Sequence, residues 1–225
     1  MNKTLFLIWF GGLENMSANR KKCLDSIYQH AGIDIVLINE DNLNKWIIEP
    51  LHPAFEYLSL THKADYLRSY LMHFYGGAYT DIKINDFNWL KYFDDLEKSD
   101  KEINGYPELE GYGHGFDTNY LIGNGLYIFK KNSIIAYEWY NTVKNILDAK
   151  LDTLKENPGT YHPRACAGGI AYTPNENTFS YAHYKYPIRW EEIHGELFHK
   201  VQYNYKHLIL RTMPTINTNN YLYKD

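Results

Sequence analysis

Two places in the first third of the chain have residue types and spacing suited to chemistry on charged oxygen. Asp65 and Arg68 stand three apart in "THKADYLRSYLMHFYGG", and Asp81 closes the apolar run of "YGGAYTDIKIND". Residues three apart on a helix share a face, so Asp65 and Arg68 form one of two things. One is a surface ion pair of about 0.3 to 0.5 kcal/mol. The other is a working pair, in which Asp65 accepts hydrogen bonds from ligand hydroxyls while Arg68 holds it or reaches a phosphate. Asp81 either ends a strand or ligates Mg²⁺ or Mn²⁺, hard ions that bridge a carboxylate to phosphate oxygens. A metal there would offset charge growing on a departing diphosphate. Lys83, two residues on, stands where a second acid would complete a clamp. Three accounts of it stay open. Its ammonium replaces part of the metal's charge, or Asp81 and the diphosphate still hold the metal with waters completing the shell, or Lys83 points away and the site is dead. Asp86 is five residues past Asp81, on the opposite face of a continued strand, and reads as a turn residue.

The second half offers acids for a proton acceptor. Glu191 and Glu192 follow an aromatic in "YPIRWEEI", and Glu108 and Asp117 lie in "GYPELEGYGHGFDTN". A partly buried Glu can be tuned as a general base, and Glu192 is the candidate carried forward, against the plain reading of a solvated acid. The glycines of "RACAGGIAYT" allow either a close backbone approach to phosphate or sugar, or a simple tight turn. His194 and His199 are five apart, which does not give one helical face the pair a zinc site needs.

Elements that would position these groups are legible. "KTLFLIWFGG" reads as a strand ending in a glycine turn, "NRKKCLDSIYQHAG" as a helix, and "IDIVLINEDNL" as a second strand, which makes a βαβ unit and a parallel sheet. From Ser59, Leu60, Ala64, Leu67, Leu71 and Phe74 form one helical stripe that Gly76 and Gly77 terminate, and "AYTDIKI" follows as a third strand. "LIGNGLYIFKK" reads as a strand or hairpin. "SIIAYEWYNTVKNILDAKLDTL" reads as a helix burying Ile135, Trp139, Val143, Ile146 and Leu147, and "YPIRWEEIHGELFHKV" as helical after Pro187. The class is α/β, shading into α+β in the second half.

The 225 residues suit one large domain with one core. Charged residues make up 22% and the formal charge is −4, which argues against nucleic acid as the main partner. The apolar run "TLFLIWFGGL" is shorter than the ~20 residues of a spanning helix and has no small-residue cleavage site, so no membrane span or signal peptide is expected. Cys23 and Cys166 form no framework, and free thiols fit a reducing, cytoplasmic setting. The 22 tyrosines fit either sugar stacking or a compositional habit.

"THKADYLRSYLMHFYGGAYTDIK" resembles the signature of glycosyltransferases with a DXD-containing sugar-binding region. These occur among capsular polysaccharide enzymes, yeast-type mannosyltransferases and, more distantly, clostridial glucosylating toxins. Ala64, Asp65, Arg68, Gly76, Gly77, Tyr79 and Asp81 fall in that register, and "FLIWFGGL" and "IDIVLINEDNL" are similar to the family's first two strands. The resemblance covers roughly the first ninety residues. It implies a GT-A type, Rossmann-like nucleotide-sugar-binding fold with a mainly parallel sheet flanked by helices, residues 1–90 forming the nucleotide-sugar half and 91–225 the acceptor side. It also implies that Trp9, Phe10, Gly11 and Gly12 line the base and ribose of a UDP-sugar. Asp65 and Arg68 would contact the donor sugar, Tyr79 would shape its pocket, and Asp81 would lie near ribose and metal. Lys83 departs from the pattern, since the second acid is normally the main metal ligand. The function implied is transfer of a sugar from a nucleoside diphosphate to a glycan hydroxyl, with inverting and retaining courses both open. The alternative is a non-catalytic sugar- or nucleotide-binding module. A haloacid dehalogenase type phosphatase is disfavoured, because no second acid stands two residues after Asp81 and the first strand ends in glycines with no Asp.

Overall fold

Side chains of a strand alternate between its faces, and here the alternation divides two apolar layers. In β1 (Thr4–Ile8), Phe6 and Ile8 join one buried cluster while Leu5 and Leu7 join another. β5 (Ile122–Phe129) divides the same way, with Tyr127 and Phe129 on the first side and Leu126 and Ile128 on the second. A sheet apolar on both faces must be covered on both. α1 (Ala18–His30) and α3 (Leu90–Lys98) cover one face, through Cys23, Ile27, Phe93 and Leu96. α2 (Leu60–Phe74), α4 (Ile134–Glu156) and α5 (Gly195–Asn204) cover the other, through Leu67, Leu71, Trp139, Val143 and Phe198.

The structure is a computed structural model that describes residues 1–159, 171–172, 179–180 and 185–215. The remaining strands of the main sheet are β2 (Asp34–Ile38), β3 (Gly77–Thr80), β4 (Ile103–Pro107) and β8 (Ile209–Leu210), in the order β2-β1-β3-β5-β4-β8. β1 runs parallel to β2 and β3, and β4 parallel to β8; β5 is antiparallel to both its neighbours. Five strands therefore share one direction and β5 alone opposes them. This is the expected α/β class, with a mainly parallel sheet flanked by helices. β6 (Ala171–Tyr172) and β7 (Phe179–Ser180) form a separate two-stranded pair. Cys166 and the glycines of "RACAGGIAYT" lie outside the described residues. Among the described residues no helix is long and apolar enough to cross a membrane.

Local signals explain the helix ends. Ser17, Ser59 and Ser133 each accept a first-turn backbone N–H, which caps α1, α2 and α4. Gly76 and Gly77 leave α2 with φ of +62° and +87°, and a Cβ on Gly77 would sit 2.8 Å from the carbonyl oxygen of Thr4, so the turn into β3 requires glycine twice over.

Three expectations need correction. α2 is not a one-sided stripe. Every residue from Asp65 to Met72 is buried, because the helix lies between the sheet and α4. The strand expected over "AYTDIKI" stops at Thr80, because the Lys83 N–H donates to the Asp81 carbonyl at 2.8 Å, a tight turn that lifts the chain out of the sheet. The last helix begins at Gly195 rather than after Pro187. Residues 189–194 are held by turn bonds from Glu192 N–H to the Arg189 carbonyl and from His194 N–H to the Glu191 carbonyl, and His194 has non-helical angles.

Candidate functional site

Tyr79 projects from one face of β3, and the tight turn at Asp81–Lys83 keeps the Asp81 and Lys83 side chains on that side. That face is covered by α2, whose i,i+3 pair Asp65 and Arg68 points down onto it. The result is one cluster at the carboxyl end of β3. Arg68 Nη2 lies 3.1 Å from Asp81 Oδ1 and 3.5 Å from Asp65 Oδ1, and Lys83 Nζ lies 2.8 Å from Asp81 Oδ2. The Tyr79 hydroxyl donates to Asp81 Oδ1 at 3.0 Å, and the Arg68 guanidinium stacks 4.5 Å from the centre of the Tyr79 ring. Side-chain exposure rises from 4% at Asp65 and 11% at Arg68 to 18% at Lys83 and 20% at Asp81, so a ligand meets the lysine and Asp81 first. β5 completes the wall by running the opposite way: the Asp81 N–H donates to the Gly125 carbonyl at 2.8 Å, and Arg68 Nη1 to the Asn124 carbonyl at 3.4 Å.

Burial and charge pull the two acids apart. Burial works against the Asp81 anion, yet Lys83 and Arg68 outweigh it and hold the carboxyl well below the usual range. Asp65 is buried more deeply, and burial dominates over the Arg68 cation, while Asp81 and Glu191 add repulsion; its carboxyl is pushed up to about 7. Burial opposes the Arg68 charge as well, but Tyr79, Asp81 and Asp65 keep the guanidinium firmly protonated. Arg68 Nε is buried without a hydrogen-bond partner among the described residues.

His194 is the member that sequence reasoning missed. It stands at the N-terminal end of α5, stacked on Trp139 and Phe198, with Nε2 3.1 Å from Arg68 Nη1 and Nδ1 3.4 Å from Asp65 Oδ1. Burial first, then the Arg68 cation, drives its pKa far below the usual histidine value, so the ring is neutral. Arg68 Nη1 also lies 3.3 Å from His194 Nδ1, so the neutral ring sits between the two members of the α2 pair and touches both. No local pattern marks it, because its partners lie on a distant helix.

The expected base and ribose segment forms the turn after β1. Gly11 and Gly12 have φ of +104° and +83°, and Trp9 Nε1–H donates to the Gly12 carbonyl at 2.9 Å. Arg20 lies 5.9 Å from the centre of the Trp9 ring and donates to the Ile82 carbonyl, which ties this turn to the Asp81–Lys83 segment. Phe10 points elsewhere, onto Phe55.

The acids of the second half separate into three places. Glu192 faces α4, with Lys150 Nζ 2.7 Å from Oε1, and makes no contact with the Asp81 cluster. Glu191 pairs with His114, whose Nδ1 lies 2.9 Å from His199 Nδ1, and His199 Nε2 lies 3.0 Å from Glu108 Oε2. Asp117 caps the turn at Thr118–Tyr120 and, with Glu108 and Phe116, lines a cavity of about 690 Å³. Asp86 is exposed in the loop beyond Lys83.

Whether the cluster fits a divalent metal can be read from its lone pairs. Both oxygens of Asp81 are engaged by cations or a hydroxyl, the second position of the expected clamp is an ammonium, and Asp65 is turned to Arg68 and His194. Among the described residues, no three or more His, Cys, Asp or Glu side chains converge so as to hold a metal ion. The residues present do not fit one.

A model of the capsular polysaccharide synthesis protein family matches residues 1–86. No curated protein matches the chain. Among solved structures, the PaToxG glycosyltransferase is similar over 68% of this chain at 16% identity and a TM-score of 0.42, and this chain spans 64% of that protein's length. The similarity to capsular polysaccharide synthesis proteins is thus carried by the first 86 residues, the segment that holds Asp65, Arg68, Asp81 and Lys83.

Proposed function

We propose that the chain is a glycosyltransferase of the cytoplasm that takes a hexosyl group from a UDP-sugar and passes it to a hydroxyl of a glycan acceptor. One observation carries the reading: a buried Asp65–Arg68 pair that meets Asp81 and Lys83, the two members open to solvent, at the carboxyl end of β3, inside the segment that matches capsular polysaccharide synthesis proteins. Open α/β sheets bind ligands beyond the carboxyl ends of their strands, where connections diverge, and here the diverging elements are the turns after β1 and β3.

The chemistry follows from charge. The bond between the anomeric carbon and the diphosphate oxygen breaks with its electron pair on the departing diphosphate. The acceptor oxygen forms the new bond, and its proton leaves to a carboxylate or to water. Arg68 and Lys83 face the growing negative charge from fixed positions, which costs little reorganisation as the bond breaks. Asp65, held by Arg68 and His194, accepts hydrogen bonds from donor-sugar hydroxyls and fixes the ring. Trp9 offers a ring beside the turn of Gly11 and Gly12 for the base. The acceptor enters from the side of Glu191, His114 and the cavity bounded by Glu108 and Asp117; Glu192, tied to Lys150, is a positioning group for the 189–194 turns and not a base.

The test is turnover. Purified protein is incubated with UDP-sugars and with the other nucleoside diphosphate sugars, and released nucleotide is measured with and without glycan acceptors. Release with one donor, lost in Arg68→Met, supports the proposal. Tight nucleotide-sugar binding with no release under any condition would replace it with a binding module.

A further inference from the structure

We infer that this site handles its diphosphate without a divalent metal, the Lys83 ammonium standing in for the cation. The inference rests on the donor reading proposed above and concerns how that donor's charge is met.

Three features of the cluster point the same way. A carboxylate that ligates a metal must turn a lone pair toward it, and three of the roughly four lone-pair sites of Asp81 are already engaged. Lys83 Nζ takes Oδ2 at 2.8 Å, while Arg68 Nη2 at 3.1 Å and the Tyr79 hydroxyl at 3.0 Å take Oδ1. A dication placed at Asp81 would also lie beside two fixed positive charges in a partly buried setting, where repulsion is poorly screened. Asp65, the other acid that meets Arg68, is inward and paired with Arg68 and His194, and burial pushes its carboxyl up to about 7, which makes it a poor ligand for a hard cation.

The charge sum reaches the same end. Changing one residue from an acid to a lysine raises the local charge by two, the charge of one divalent ion. The Asp81–Lys83 pair is neutral and Arg68 balances Asp65, so the cluster meets a diphosphate with two cations and no net charge of its own, where an acid at position 83 would leave it anionic. Lysine acts as a compact point-charge phosphate ligand, and at 18% side-chain exposure its ammonium is placed to leave Asp81 for an arriving phosphate oxygen.

Calorimetric titration of UDP into the full chain, once in EDTA and once in Mn²⁺, tests this, with Mn²⁺ alone followed by its paramagnetic resonance signal. The expected result is the same UDP affinity in both buffers within about twofold, and no Mn²⁺ binding below millimolar concentration. Lys83→Asp should lose about tenfold or more in EDTA and regain it in Mn²⁺, while Lys83→Met should lose it in both. Circular dichroism of both variants confirms that the fold is kept. UDP binding by the unaltered chain that requires Mn²⁺, or micromolar Mn²⁺ binding on its own, would overturn the inference and leave the donor reading standing. No UDP binding in either buffer would remove the donor reading, and the inference with it.

Discussion

Arg68 Nη1 stands 3.1 Å from Nε2 of His194, although the two are 126 positions apart in the chain. The imidazole is neutral and sits between the guanidinium and the Asp65 carboxyl, in contact with both members of the α2 pair. His194→Phe keeps a ring against Trp139 and Phe198 but removes acceptor and donor together. It should weaken UDP binding about tenfold and cost about 1 to 3 kcal/mol in urea unfolding, since the buried Arg68 and Asp65 each lose a partner. Unchanged binding would show that His194 serves packing alone.

Arg68 itself joins two acids. Arg68→Met should destabilise the fold by about 3 to 5 kcal/mol, the usual cost of stranding buried carboxylates. The loss should be larger at pH 8 than at pH 5, because Asp65 takes up a proton on the acid side and no longer needs a counter-charge. Chemical unfolding at the two pH values checks both statements.

Asp65 gives a signed pH dependence. Folding raises its carboxyl from 3.8 to about 7, so between those values the folded state holds a proton that the unfolded state has released, and stability from this group falls as pH rises. Asp65→Asn removes the effect. The stability of the variant relative to the unaltered chain should therefore climb from pH 4 to pH 7, by a few kcal/mol at most. Arg68, Asp81, Glu191 and His194 face this carboxyl in both proteins, so a flat or falling difference would contradict the assignment.

Gln202 is a structural counterpart of the site. Fully buried on α5, it accepts from the Ile122 N–H at 2.8 Å and donates to the Ile122 carbonyl at 3.2 Å, closing the start of β5 as a neighbouring strand would. Gln202→Leu strands two backbone groups and should cost about 2 to 4 kcal/mol. Because β5 carries Asn124 and Gly125 against Arg68 and Asp81, UDP affinity should fall too, whereas Gln202→Glu should recover part of the stability at low pH.

The first strands, α1, α2, α4 and the Asp65–Arg68–Asp81 register were legible because local rules produce them: apolar and β-branched runs, helical spacing of apolar residues, the glycine pair after Phe74, and three-residue spacing on one helix. What was not legible depends on distant partners. The opposed direction of β5 is set by pairing with β3 and β4, and no local pattern specifies it. "FNWLKYFDDLEKSD" drew no attention as a helix, yet Phe93 and Leu96 seat α3 in the core. His194 was noted only for its spacing from His199, whereas its role depends on where the turns at 189–194 deliver it. Glu192 reads as a candidate base from the aromatic beside it, and its pairing with Lys150, on another helix, leaves no trace in the local pattern.

The reversed strand also determines which pieces of the chain can stand alone. β3 has β1 on one side and β5 on the other, so a fragment holding the first 86 residues would carry Asp65, Arg68 and Asp81 with one edge of β3 unpaired and with Arg68 lacking both Asn124 and His194. Such a fragment should be aggregation-prone and unable to hold a nucleotide. In folding, the pocket must wait for contacts that span more than half the chain, so ligand-binding competence should be among the last properties to appear on refolding.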